Sequence, residues 1–427
     1  MNSQSERHEH EQNVIPLMVR RHAEEAATRW WRRSSAYIED ERSRFSDLIE
    51  FDDSIDAHLD GLSNAGNVAR MVLEQAMLSD ARDASAEIFV ALVMAFETGD
   101  PEVIQNMLAH TKPLPGSATA LQGLFAWSDD ELVGQTLRAH LTNPDVRYQH
   151  AALAECHTQR VDGGDHLAYL ISSENALVAR AIRTAAQCGR VDLLSEIKMC
   201  LELAPETDGE VRYWAAWALL ALGNNSVKAV NTLMALVNTS SANNSGALQI
   251  LCLTLPRIEL LEYLQRLSTT SIDRTLYIQA LGWSGHAGYV PYLIDQMRIT
   301  EFGSCAGEAC RLITGFDLLQ REAELDPTPY LPDISLSRLQ SAYPYPNAAI
   351  VSKWWEEYGH SFDIEQQLLL GEPISLDWLD DIIMCGEQTH RDLAALLRWF
   401  AQPGQMLLPT HAHCYIQWLR LQQLKGN

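Results

Sequence analysis

Small and branched apolar residues return in the same order three times along the middle of the chain. Pro144-Asp145-Val146-Arg147 leads into Ala151-Ala152-Leu153, Leu177-Val178-Ala179-Arg180 into Thr184-Ala185-Ala186, and Gly209-Glu210-Val211-Arg212 into Ala215-Ala216-Trp217-Ala218. The valines at 146, 178 and 211 lie 32 and 33 residues apart. Two helices and their turns fill such an interval, as they do in helical solenoids. Continued from Val211, it predicts units near 244, 276 and 308, where Ser245-Gly246-Ala247-Leu248, Thr275-Leu276-Tyr277-Ile278 and Ala306-Gly307-Glu308-Ala309 stand. Each unit is expected to hold an Ala-rich first helix, a short turn and a second helix anchored by Leu and Ile. The short side chains matter because stacked helices approach closely only where side chains are small. Ala221-Leu222-Gly223 and Ala280-Leu281-Gly282 are expected to end first helices on a glycine in the left-handed conformation. With two helices per unit and no strand signal, the pattern predicts an all-α, HEAT-like α-solenoid; a plain bundle would not keep the interval through successive units.

The flanks are also helical in pattern. Val14–Tyr37 places Val19, Ala23, Ala26 and Trp30 on one face. A second helix from about Ser46 spaces Leu48, Ile55, Leu59 and Leu62 at near-heptad intervals, with Asp47, Asp52, Asp53, Asp56 and Asp60 mostly opposite. Two prolines between Lys112 and Gly116 break the pattern. The expected division is therefore a helical amino-terminal region at 1–115, the repeat array at 116–316, and an irregular connection at 317–347. That connection holds Pro327, Pro329, Pro332, Pro344 and Pro346. A carboxy-terminal helical region at 348–427 is then expected to cap the array, since an end repeat must cover its neighbour's open core.

Charge narrows the partners. The 427-residue chain holds 32 Lys+Arg against 56 Asp+Glu, a net charge of −24. Such a chain should repel nucleic acid and anionic lipid and attract a basic protein. The start of the chain is polar, without the apolar core of a secretory leader, and the longest apolar run, Ile88–Phe96, is far too short for a membrane span. The eight cysteines are scattered without a CxxC, several of them among helical apolar residues. They are expected to be reduced core thiols of a cytoplasmic protein.

Four places in the sequence resemble a known family. Val14-Ile15-Pro16 runs into His22-Ala23-Glu24-Glu25-Ala26-Ala27, and Asp56-Ala57-His58-Leu59-Asp60-Gly61-Leu62 is the most specific match. Phe302-Gly303 continues through Ala306-Gly307-Glu308-Ala309 to Ile313-Thr314-Gly315, and Tyr345-Pro346 through Trp354-Trp355 to Leu370-Gly371-Glu372-Pro373-Ile374. Together they span nearly the whole chain. They resemble the proteobacterial family of HEAT-repeat proteins of uncharacterised function that are often encoded beside type VI secretion components. The resemblance implies a cytoplasmic binding protein of a toxin-delivery system, as adaptor, chaperone or immunity factor, and supplies no catalytic residues.

The residues offer few candidates for chemistry. His8-Glu9-His10-Glu11 favours weak adventitious metal binding over a site. His411-Ala412-His413-Cys414 supplies three potential ligands without a second cluster, which favours incidental histidines of a capping helix. Cys305 and Cys310 fit core thiols. The acidic run Asp47–Asp60 has helical phase, unlike a calcium loop; Asp56 and Asp60 are expected to pair with arginines of the first helix. Arg29-Trp30-Trp31-Arg32-Arg33 is the one basic-aromatic patch, and its acidic neighbours favour packing of Trp30 and intramolecular ion pairs over base stacking. No metal, cofactor or catalytic residue is expected. One pattern favours binding: Glu196, Glu262 and Asp295 share a phase, 66 and 33 residues apart, each on an expected second helix, and second helices of HEAT-like units line the concave side. With Asp192 and Glu259 they are expected to form an acidic stripe for a basic protein partner. A HEAT-like enzyme, a nucleic-acid glycosylase or a lyase, is the alternative, and net charge weighs against it because an extruded base needs a basic face. A purely structural role in assembly is the third option.

Overall fold

The computed structural model describes residues 14–39, 42–78, 83–173, 176–204, 208–239, 242–318, 324–325 and 345–426. These contain 22 α-helices, and the chain is the all-α, solenoid-like fold that the interval predicts. Three helices come first: α1 Pro16–Glu39, α2 Phe45–Ser63 and α3 Asn67–Met77. Helix pairs follow in regular succession: α4 Ser85–Glu97 with α5 Pro101–Thr111, α6 Ser117–Trp127 with α7 Glu131–His140, α8 Val146–Glu155 with α9 Gly164–Ile171, and α10 Val178–Gln187 with α11 Leu194–Leu203. The succession continues with α12 Gly209–Ala221 and α13 Val227–Val237, α14 Asn244–Thr254 and α15 Arg257–Leu267, α16 Arg274–Trp283 and α17 Val290–Met297, and then α18 Gly303–Thr314. The first helices start where the interval places them. The paired pattern also reaches back to Ser85, one unit before the expected start, because the prolines between Lys112 and Gly116 occupy a turn between pairs. Gly116, at φ +81°, there provides the left-handed residue that starts α6.

Helices α19 Ala348–Tyr358, α20 Leu376–Cys385, α21 Gln388–Phe400 and α22 Cys414–Lys425 complete the chain. Two short ladders are the strands that sequence pattern did not signal. Glu324–Leu325 (β1) pairs antiparallel with Tyr345–Pro346 (β2), and Leu368–Leu369 (β3) with Glu372–Pro373 (β4). The second is a tight hairpin closed by Leu370 and Gly371, both at positive φ. The rest of the proline-rich connection, and the His8–Glu11 tract, lie outside the described residues. No described helix is long and apolar enough to cross a membrane.

The chain divides into two compact units. Unit 1 holds the residues up to Glu196 together with Ile383–Ala395 and those from Gly404 onward; unit 2 holds Ile197–Ile382 and Leu396–Pro403. The residues from 348 onward, expected as one capping region, are thus shared between both units. In unit 1 the core follows the apolar stripes. Val19, Ala23, Ala26 and Trp30 of α1 are buried, as are Leu48, Ile55, Leu59 and Leu62 of α2. Trp30 stacks on Phe89 at 4.4 Å, and Phe89 meets the edge of Trp127 at 5.4 Å. The apolar run Ile88–Phe96 is explained by α4, which buries Ile88, Phe89, Val90, Ala91, Leu92 and Val93, leaving it almost no exposed face.

In unit 2, first helices of neighbouring pairs touch backbone to backbone. Gly223 takes the left-handed position after α12, at φ +81°, as expected. Gly282 does not: it is a helical residue of α16, and Gly285, at φ +62°, takes the left-handed turn instead. Gly282 is there for proximity, since a Cβ on it would stand 2.9 Å from the Ala309 Cα and 3.0 Å from its Cβ in α18. Backbone cannot rotate aside, so Gly282→Ala should cost about 1–3 kcal/mol by overpacking, more than the roughly 1 kcal/mol that alanine gains as a helix former. Urea unfolding of the variant checks this; a midpoint at or above that of the parent would mean that α16 and α18 separate freely.

Candidate functional site

The acidic position on the second helices is the starting point. Counted from the first residue of the second α-helix, Glu262 and Asp295 stand five residues on, after Arg257 and Val290, and Glu196 two residues on, after Leu194. Glu259, Glu262 and Asp295 are exposed, and Glu196 is half-buried. Asp192 lies in the 3-10 turn before α11 and is engaged by Arg190 at 2.7 Å, which lowers its pKa. Asp295 has a loose contact with Arg298 at 3.9 Å. Asp192 and Glu196 belong to unit 1, and the other three to unit 2.

In unit 2, Glu262 borders an open groove of about 500 Å³. Helix α15 supplies Ile258, Leu261, Glu262 and Gln265; Tyr277 comes from α16, and His286, Gly288 and Tyr289 come from the turn after it. The turn places them there because Gly285 reverses the chain and a 3-10 turn, Ala287–Tyr289, leads into α17. The volume is within the range of sites for small ligands or a few side chains. Ile258 is 70% exposed at the head of α15, and Val227 is 75% exposed at the head of α13. His286 meets Tyr289 edge to face at 5.3 Å, and burial lowers its pKa, which favours a neutral imidazole. Burial pushes the Tyr289 hydroxyl up to about 12, so it stays protonated. Glu262 is thus the one carboxylate in an otherwise uncharged, largely aromatic lining. Arg257, at the head of the same helix, is held by Glu365 at 2.8 Å and donates to the Ile364 carbonyl at 2.8 Å.

A second polar cluster lies in unit 1 and is closed. Arg33 and Asp52 are 5% and 1% exposed and form a bidentate pair through Nε and Nη2. Arg33 also donates to the carbonyls of His411 at 2.9 Å and Ala412 at 2.7 Å, while Asp52 accepts from the Cys414 backbone N–H at 2.7 Å. Glu155, 1% exposed, accepts from Gln122 at 2.9 Å, Thr158 at 2.8 Å and His411 Nε2 at 2.9 Å. Burial alone would raise the Glu155 pKa, but His411 and His157 bring it down to about 2. The same carboxylate raises His411 against its own burial. With three donors on Glu155 and three on Asp52, these buried carboxylates hold the carboxy-terminal segment of unit 1 in place.

These contacts revise two expectations. His411 and His413 are not incidental. His411 pairs with Glu155, and His413 Nε2 lies 3.3 Å from Asp56 and 3.9 Å from Asp52. Asp56 pairs with that histidine rather than with an arginine of α1, and Asp60 is exposed; the α1 arginine chooses Asp52. The reason is helical phase, since Asp52 faces α1 and the carboxy-terminal segment while Asp60 faces solvent. The basic-aromatic patch behaves as its acidic neighbours suggest: Trp30 is packed, Arg29 pairs with Glu25, Arg33 is buried, and Trp31 is 59% exposed. The eight cysteines are free thiols, six of them buried, and burial pushes Cys305 and Cys310 up to about 12. Among the described residues no group of three or more His, Cys, Asp or Glu side chains is placed to hold a metal ion.

Tyr277, His286 and Tyr289 were not among the candidate site residues, and Tyr277 entered the sequence reading only as part of a predicted repeat unit. Their signal is compositional, four aromatic or imidazole side chains between Tyr277 and Tyr289 counting Trp283, and it becomes a site only when the turn folds them against α15. No protein-family model matches the chain, and a search of curated proteins found no significant match.

Proposed function

We propose that this chain is a non-enzymatic binding scaffold for a basic protein partner. In keeping with the family it resembles, it would serve as an adaptor, chaperone or immunity factor for a type VI secretion toxin or its delivery apparatus, in the cytoplasm. One observation carries the reading: Glu196, Glu262 and Asp295 recur on second helices at intervals of 66 and 33 residues, and large apolar side chains stand exposed at the heads of second helices. A net charge of −24 extends the attraction beyond contact distance and disfavours nucleic acid and anionic membranes. The buried, hydrogen-bonded carboxylates of unit 1 support a scaffold over an enzyme, since Glu155 and Asp52 are engaged in holding the fold.

The test is capture of proteins from lysate of the source cells on the tagged full-length chain at low and high salt. Basic proteins bound at low salt and lost at high salt are expected, because exposed charge pairs are screened. Replacing Glu196, Glu262 and Asp295 together by lysine should lower capture at least about tenfold, equivalent to about 1.4 kcal/mol, with the melting temperature unchanged. Undiminished capture would remove the acidic position from the reading.

A further inference from the structure

We infer that the unit 2 groove is a slot for a lysine or arginine side chain on a partner's extended segment, the cation held between Glu262 and the aromatic wall of Tyr277 and Tyr289. The inference rests on the scaffold reading and gives it a place and a chemistry. Charge selects the occupant. Glu262 lies in the lining and Glu259 is exposed three residues before it, whereas Arg257 is engaged by Glu365 and Arg266 lies outside the lining. An acidic or phosphorylated segment would therefore meet uncompensated repulsion. A cation gains twice, from the carboxylate and from the electron-rich faces of tyrosine rings. The neutral His286 adds no opposing charge. The exposed Ile258 at the groove's edge, and Val227 at the equivalent position of α13, favour an aliphatic residue next to the cation. The space, about 500 Å³ and open to solvent, accommodates one long side chain with its flanking backbone.

The experiment pans a random dodecapeptide display library on the immobilised full-length protein and measures affinities of the enriched peptides. Enriched peptides are expected to carry Lys or Arg beside an aliphatic residue. Their affinity should fall about tenfold in Glu262→Gln, a surface change that spares the fold, and similarly in Tyr289→Leu, which keeps apolar bulk but removes the ring. Glu131→Gln, an exposed carboxylate in unit 1, should leave affinity unchanged. Enrichment of acidic or uncharged peptides, or basic peptides indifferent to Glu262→Gln and Tyr289→Leu, overturns the slot. If basic proteins are still captured by those two variants, the slot fails and the scaffold reading stands. If neither peptides nor proteins are retained by the parent chain, both fail.

Discussion

Replacing Asp52 by alanine should be among the most damaging single changes in unit 1, costing about 3–5 kcal/mol. The carboxylate is 1% exposed, and its removal leaves the Arg33 guanidinium, 5% exposed, charged and without its counter-ion. Burial opposes that charge, yet Asp52 beside it raises the Arg33 pKa above the ordinary arginine value, so the guanidinium stays charged. An isolated buried ion pair is often replaceable by apolar residues without loss, and here that remedy should fail. Arg33→Met with Asp52→Leu removes both charges but orphans the Cys414 N–H and the carbonyls of His411 and Ala412, which the pair now satisfies. Each unsatisfied buried group costs about 1–3 kcal/mol. The double variant is therefore expected to remain well below the parent in urea unfolding followed by intrinsic tryptophan fluorescence, to which Trp30 and Trp127 of this core contribute. Arg33 also lies over the Trp127 ring at 5.8 Å. Recovery of full stability by the double variant would show that the pair is only an ion pair and not a clamp on residues 411–414.

That clamp marks where the sequence stops being informative. Apolar stripes such as Val19, Ala23, Ala26 and Trp30 are legible because helix periodicity is local, and the repeat interval is legible because each pair of helices contacts its neighbours. Cys414 and Asp52 are 362 residues apart, and His411 and Glu155 are 256 apart. Nothing in local pattern joins them, and three closely spaced His and Cys residues suggest ligands or chance before they suggest ion pairs. Glu155 did carry a signal, an acid inside the apolar run Ala151–Cys156, where a carboxylate survives only with partners. The 66- and 33-residue spacing of Glu196, Glu262 and Asp295 was legible in the sequence. The groove was not, because its aromatic wall is built by a turn whose direction depends on Gly285 rather than on Gly282. Both glycines fit the end of a helix in sequence, and only contact with Ala309 separates their roles.

Acid should weaken unit 1 most strongly through one buried imidazole. His157 is 4% exposed beside Glu155 and His411, with Arg180 and Arg183 also bearing on it. Burial is the largest influence and holds its pKa down to about 3, against an ordinary 6.5; Glu155 pulls upward, while His411 and the two arginines push down. Between pH 6.5 and 3 the unfolded chain therefore carries a proton here that the folded chain refuses, and stability falls by about 1.4 kcal/mol for each pH unit of acidification. Glu155 acts in the same direction over a lower window. Its pKa is depressed from 4.5 to about 2, so its contribution is complete above pH 4.5 and is lost as pH falls toward 2. His411 acts on the opposite side. Its raised pKa gives stability that is complete below 6.5 and lost as pH rises through the folded value. Burial lowers His140 and His150 as well, so the parent's acid slope should exceed one proton. The decisive measurement is a difference: urea unfolding of the parent and of His157→Gln between pH 6.5 and 4.5. The ring's Nδ1 has no hydrogen-bond partner to lose, so the variant should fold, and its slope should be shallower by about one proton, about 1.4 kcal/mol per pH unit. Over those two units the variant gains about 2.3 kcal/mol on the parent, less than twice the per-unit figure because the unfolded imidazole is only half protonated at pH 6.5. Parallel slopes would mean that His157 takes up a proton in the folded chain, with Glu155 rather than burial setting its charge.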